Sequence, residues 1–298
     1  VSNRSRLQRF AWLSIATAIA TIALKTGAWW ITGSVGLLSD AAESVVNLVA
    51  AIVALVALGV AARPADDSHN FGHAKAEYFS AGVEGAMIFV AAVVIIYSAV
   101  DRLLHPRELE SLGLGLAISV VAAVLNGVVG WILIRAGRKH RSPTLSADGK
   151  HLMTDVVTTV GVIVAVAVVA ITGWHRMDPV IAIAVAVNIL FVGYRLIVDS
   201  TSGLMDASLP DDDREQIEQV LDEFRSRSVD FHDVRTRVGG HMRFLQLHML
   251  VPGDWSVQQG HDLVEEVESA LREAVEDLVV VVHLEPIDDP RSYESWRR

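Results

Sequence analysis

Cysteine is absent from all 298 residues. There is accordingly no disulfide framework and no thiolate metal site, so any metal must be held by histidine, carboxylate or amide groups. Charge is also scarce, at 20% of residues against about a quarter in an average soluble domain. No nucleotide-binding P-loop is present: Gly149-Lys150 is followed by His151 rather than Ser or Thr, and Thr144 stands at the first-glycine position. The helical zinc-protease motif H-E-x-x-H is missing too, which speaks against a metalloprotease. Acidic residues are thin over 1–205, with 13 of the 35 against 15 of the 25 basic ones, so that stretch carries +2. The remainder carries −12, giving −10 in all, and two different materials meet near residue 206. The acidic end repels phosphates, which excludes a nucleic-acid partner.

What fills the first part is apolar. A membrane helix needs about 20 mostly apolar residues, and runs of that kind lie near 10–32, 36–61, 79–100, 112–134, 150–173 and 178–198. The first run follows Arg4, Arg6 and Arg9 and superficially resembles a signal peptide. It is too long for one and lacks a clear small-residue cleavage site, so it is expected to stay as a span. A soluble helical bundle would need a charged face on each helix, and 160–171 and 180–187 have none. Six spans put both ends on one side of the lipid bilayer. Arg63, Lys75, Arg135, Arg138, Lys139, Arg141 and Lys150 fall on the same side as the N-terminal arginines, while Arg102, Arg107 and Arg176 fall opposite. The excess of positive charge predicts cytoplasmic termini and a multi-pass protein of the cell (inner) membrane.

After Leu209-Pro210 the pattern becomes soluble. Asp211-Asp212-Asp213 opens a helix with acids in its first turn, running to about Arg225. Residues 234–238 read as a strand, Gly239-Gly240 as a turn and 241–251 as the hairpin partner. A second helix over about 257–275 and a strand over 278–284 complete an αββαβ order, a small α+β domain with its helices on one face of the sheet. The predicted division is a transmembrane domain over 1–208 and a cytoplasmic domain over 209–298.

Ionisable groups inside a span are costly, at about 2.5–3.5 kcal/mol each near the bilayer centre, so each is a functional candidate. Asp40, Glu43 and Asn47 are spaced i, i+3, i+7 and share one helical face; His151 and Asp155, spaced i, i+4, share another. Together they offer nitrogen and oxygen ligands for one cation, with Asp40 a helix cap or an alternative ligand. Glu84 fits less well, and its place, near the cytoplasmic end or on a proton route, stays open. Asn126 and Asn188 read as interhelical hydrogen-bonding groups. In the loop over 64–77, Asp66, His69 and His73 follow a D-x2-H-x3-H spacing able to fold round a cation.

The run over 33–47, the loop PADDSHNFGHAKAE, the H-x3-D of His151 and Asp155, and the tail segments HDVRTR and RFLQLH together resemble the cation diffusion facilitators. The resemblance covers nearly the whole chain. It implies six spans plus a cytoplasmic ferredoxin-like domain, a homodimer, and export of zinc, iron, manganese, cobalt or cadmium in exchange for protons. It implies a transport site on Glu43, Asn47, His151 and Asp155, a loop site on Asp66, His69 and His73, and tail sites on His232, His248, His261, His283 and Glu285. It also matches Lys75 and Asp206 to positions that pair near the membrane surface. Two departures stand out: the zinc exporters usually carry His or Asp at position 43 and Asp at 47. One imidazole among oxygens is a harder ligand set, which suits manganese and iron(II) relatively better, although the affinity order still favours zinc. Strand geometry supports the tail site on its own terms, because His283 and Glu285 are i, i+2 and share a face.

Without a nucleotide site, uphill export must draw on an ion gradient. His151 is the natural proton carrier, since imidazole changes charge near neutral pH and must be neutral to bind metal. The expectation is therefore a secondary transporter, not an enzyme, with no organic cofactor. A passive channel is disfavoured because a tight multi-ligand site holds an ion too long. A non-transporting metal sensor or assembly factor remains the alternative, because the neutral amide of Asn47 replaces a carboxylate.

Overall fold

The computed structural model describes residues 7–32, 35–105, 113–174 and 176–293, and within 28–46, 113–116, 166–170 and at 178 some side chains lie outside that description. Six long helices come first: α1 (Gln8–Thr32), α2 (Val35–Ala61), α3 (Ala76–Leu104), α4 (Gly113–Lys139), α5 (Pro143–Thr172) and α6 (Met177–Leu204). Five of them are long and apolar enough to cross a membrane, and the described apolar stretch of α2 is the shorter Asn47–Ala61. The surface of this unit is inverted relative to a soluble protein. Trp30, Val56, Val124, Trp131, Val160 and Phe191 are exposed, whereas the interior is built from small residues such as Ala11, Ala50, Ala54, Ala92, Ala136 and Ala147. Small residues let helix backbones approach when lipid offers no hydrophobic drive between them. One close approach joins α4 and α5, where a Cβ added at Gly149 would lie 2.8 Å from the Gly130 carbonyl oxygen.

The fifth helix begins seven residues before the expected span. Ser142 caps it, accepting from the Leu145 backbone N–H at 3.3 Å, and Pro143 occupies the first turn, where its missing N–H costs nothing. Gly173, at φ 69°, closes it in the left-handed conformation that glycine adopts without strain. The extra turns bring Asp148 into the helix.

The chain divides into two compact units between Thr201 and Ser202. The second unit contains α7 (Asp211–Arg225), β1 (Asp230–Gly239), β2 (Met242–Val251), α8 (Val257–Ala274), β3 (Leu278–Pro286) and a 3-10 turn at Pro290–Tyr293. The sheet order is β1-β2-β3, with β1 antiparallel and β3 parallel to β2. Ile217, Leu221 and Phe224 of α7 and Leu263, Val267 and Leu271 of α8 recur at helical spacing and bury against Leu245, Leu247, Met249 and Val251 of β2. Ser256 and Gln259 form a capping box at the start of α8. Alternation then assigns the even-numbered side chains of β2, His248 among them, to the face that the helices leave uncovered. Two strands extend beyond the sequence expectation: β1 starts at Asp230, not 234, and β3 continues to Pro286. Those extensions place His232 and Glu285 within the sheet.

Candidate metal centres

Within the membrane unit, α2, α4 and α5 converge on one polar cluster. Asn47 Nδ2 donates to Asp155 Oδ2 at 2.5 Å, and Asn126 Nδ2 donates to the same oxygen at 3.1 Å. The ring nitrogen Nε2 of His151 lies 2.7 Å from Asn47 Oδ1. The geometry fixes the proton: an ionised carboxylate only accepts, so the amide nitrogen of Asn47 must face Asp155 and its carbonyl must face His151. Nε2 of His151 therefore donates. Asn47, Asn126 and His151 are buried, and Asp155 is half-buried. Asp40 and Glu43 belong to α2, but their side chains lie outside the described residues. Asn126 was expected only to join helices. It does so at the carboxylate, which makes it the positioning group for Asp155. No signal in the α4 sequence alone identifies that partner.

A second cluster is folded from one loop. Asp66 Oδ1 accepts from the backbone N–H groups of Ser68 and His69 at 2.9 and 2.8 Å, which ties the carboxylate into a turn. These bonds, the one from His69 foremost, hold the Asp66 carboxyl below the usual carboxylate range. His69 Nδ1 and His73 Nε2 approach Asp66 at 3.5 and 3.4 Å. His73 Nδ1 lies 3.2 Å from the Pro64 carbonyl oxygen and donates to it, which leaves Nε2 as the lone-pair nitrogen facing Asp66. One donor atom from each residue lies within 4.8 Å of the others. Donors round a tetrahedral zinc ion stand about 3.4 Å apart at bond lengths near 2.1 Å, so small movements close this set on an ion.

The third cluster comes from strand register. His232 pairs with His248, and His248 with His283, so three imidazoles form one row across β1, β2 and β3. Glu285 stands two residues beyond His283 on the same face. Its Oε2 accepts from His232 Nε2 at 2.9 Å and lies 3.2 Å from His248 Nδ1, while Oε1 is 3.5 Å from His283 Nε2. His232, His248 and Glu285 offer three donors within 4.8 Å of one another. A bulge in β1 between His232 and Arg235, with Asp233 at φ 50°, turns Asp233 towards His248, whose Nε2 it approaches at 3.9 Å. Asp233 was not anticipated, because a bulge breaks the alternation by which strands are read. His261 does not join this centre as one chain folds. It is exposed on α8, which packs at Gly260 against Leu284, on the opposite face of β3 from His283 and Glu285. Lys75 stands at the N-cap position of α3, and Asp206 accepts from Arg237 Nη1 at 3.1 Å inside the second unit.

Residues 11–205 match the family described as the cation efflux transmembrane domain, and 209–287 match the cytoplasmic domain of cation efflux proteins, a dimerisation module. The chain belongs to the cation diffusion facilitator family. It is thus a multi-pass membrane transporter and not an enzyme. An uncharacterized transporter of Synechocystis sp. is 53% identical over 97% of this chain and 94% of its own length. A cation-efflux pump, FieF, of Salmonella arizonae is 30% identical over 94% of this chain and 93% of its own. Among solved structures, the metal-bound C-terminal domain of the CzcD transporter of Thermotoga maritima shares 28% identity, covering 26% of this chain and 92% of that one at a TM-score of 0.25.

Proposed function

We propose that this facilitator exports a divalent transition metal from the cytoplasm in exchange for protons, with zinc the first choice and iron(II) or manganese next. The observation that carries the reading is the Asn47–His151–Asp155 cluster, an imidazole, an amide and a carboxylate joined between helices inside an apolar bundle. Glu43, on the same helical face as Asn47, is the fourth ligand. Neutral His151 and ionised Asp155 bind the ion, and protonation from the far side releases it. Exposure of this site to each side in turn, with opposite proton occupancy, makes the cycle an antiport.

Protonated imidazoles bind no metal, so acidification also empties the loop and tail centres. We assign His232, His248, His283 and Glu285 to a cytosolic regulatory centre that draws the tails of a homodimer together when filled. In the same reading Lys75 and Asp206 couple tail to membrane half, and both termini are cytoplasmic in the inner membrane.

The test is flux from proteoliposomes carrying a pH-sensitive dye, with zinc, iron(II), manganese, cobalt and cadmium in competition. Metal uptake coupled to proton efflux is expected, zinc displacing the others. Binding without flux would support a sensor or assembly factor instead. Asp155→Ala is expected to abolish metal-driven proton movement while the dimer stays intact; undiminished exchange would remove the site from the argument.

A further inference from the structure

A second polar cluster in the membrane unit takes no part in the ligand set. Glu84 of α3 is fully buried, and Asp148 of α5, Ser14 of α1 and Ser80 of α3 are each 1% exposed. Ser14 Oγ donates to Asp148 Oδ1 at 3.0 Å, and Ala81 and Ile88 of α3, about one turn either side of Glu84, share a buried cluster with Ala147 of α5, next to Asp148. Among the described residues, neither carboxylate oxygen of Glu84, nor Asp148 Oδ2, nor Ser80 Oγ meets a hydrogen-bond partner. Buried carboxylates need a counter-charge, and two at one level of a helix contact do not both stay ionised without one.

Among the described residues of this unit, no buried lysine or arginine supplies that counter-charge. The buried charged or titratable groups among the described residues of this unit are Glu77, Tyr78, Glu84, Asp148 and His151. Glu77, nearly two turns back along α3, accepts from Ser142 Oγ. From α1 the neighbour is Ser14. From α6 it is Gly193 and Leu196, packed on Gly85, while Arg195 and Asp199 are exposed. On α5, Lys150 is half-exposed and His151 lies three residues beyond Asp148. The described stretch Asn47–Ala61 of α2 contains no charged residue. A proton is the counter-charge that such a buried, anionic pair takes.

We propose that Glu84 and Asp148 form a proton-binding pair that holds one exchangeable proton and yields it when the cation site on α5 fills. The coupling follows from placement: Asp148, His151 and Asp155 are spaced i, i+3, i+7 and line one face of α5. A divalent ion held by the last two disfavours further positive charge beside the first. The pair also links two tight helix contacts. Glu84 adjoins Gly85, where an added Cβ would lie 2.9 Å from Leu196 Cβ, and Asp148 adjoins Gly149, packed on Gly130. Loss of the held proton leaves both buried carboxylates charged at this level of the α3–α5 contact.

The inference rests on the metal–proton exchange reading, and the experiment separates the two. Full-length protein and its Glu84→Gln and Asp148→Asn variants are placed in nanodiscs, with dimer elution checking the fold of each. Infrared difference spectra at neutral pH follow the protonated-carboxyl band, and calorimetry in buffers of different ionisation enthalpy counts protons released per zinc bound. The wild type is expected to show the band and lose it on zinc addition. Each variant lacks it and releases about one proton fewer, the stoichiometry of a single shared proton. If one variant fails to assemble, the other decides alone. Wild type without the band, variants with unchanged proton counts, or a band that responds to sodium and not to pH would each overturn the pair. Zinc binding by the wild type with no proton release at all would instead overturn the exchange reading.

Discussion

Replacing Asn47 by Asp changes one atom at the point where three groups meet, and its consequence follows from a single distance. Asn47 Nδ2 stands 2.5 Å from Asp155 Oδ2. In Asn47→Asp that nitrogen becomes an oxygen, and the contact becomes oxygen to oxygen at a separation typical of an O–H···O⁻ bond, about 2.5–2.7 Å. Two bare carboxylates at this range cannot both ionise, so the metal-free variant keeps one proton between them. An entering divalent ion displaces it. The variant therefore releases one more proton per ion than the wild type, and its affinity rises more steeply with pH. One extra proton is a tenfold change, about 1.4 kcal/mol, for every pH unit. At high pH the added carboxylate makes binding tighter, at low pH the held proton makes it weaker, and the two affinity curves cross. Zinc titration calorimetry between about pH 6 and 8, the range in which imidazole changes charge, measures both quantities. The loop and tail centres are removed by His73→Ala and His248→Ala in both proteins. Parallel slopes with equal proton counts would show that residues 47 and 155 do not share an ion.

Asn126→Leu removes a 3.1 Å donor to Asp155 without touching a ligand, and metal affinity is expected to fall about 10- to 100-fold, read by the same calorimetry. His248→Ala is expected to weaken cytosolic metal binding while residual transport persists; complete loss of flux would show that the tail is more than regulatory. Arg243 holds the buried Asp213 through two bonds at 2.7 and 2.8 Å and bonds the Glu276 carbonyl at 2.8 Å. Arg243→Met strands that carboxylate and should destabilise the second unit by about 3–5 kcal/mol, whereas the paired apolar change with Asp213→Leu should recover most of it, as thermal melting will show. Hydrogen bonds from the Arg291 side chain pull the Asp289 carboxyl down to about 2. Its contribution to stability is present above the unfolded value near about 3.9 and is lost as pH falls towards the folded one. Arg291→Ala should raise it towards the ordinary range in an NMR titration, the backbone N–H of residue 291 still donating to it.

The helices were legible because a run of some twenty apolar residues has few alternatives in a bilayer, where every backbone group must be satisfied within the segment. The start of α5 was not, since hydropathy counts Asp148 and Lys150 as loop. The signal was present nonetheless in Ser142-Pro143, a cap followed by a first-turn proline. That one boundary hid Asp148, and with it the partner of Glu84, whose place stayed open while it was taken alone. In the second unit the αββαβ order followed from periodicity. The row of His232, His248 and His283 did not, because β1 reaches His232 only through a bulge at Asp233 that interrupts the alternation.

The same limit explains Asn126. An amide on a helix has no partner in its own sequence, and the carboxylate it holds lies 29 residues away on a neighbouring helix. What brings the two together is the packing of α4 on α5, and there the sequence does speak: Gly130 and Gly149 leave room for the backbones to approach to a distance that one added Cβ would forbid. Glycines spaced along facing helices set which residues become neighbours, and polar groups flanking them are the ones that meet. Asn126 beside Gly127, where an added Cβ would lie 3.5 Å from Val156 next to Asp155, follows that pattern. In such bundles the search for site residues therefore begins one position from the small residues, because close backbone approach is what makes a shared proton or a shared ion geometrically possible.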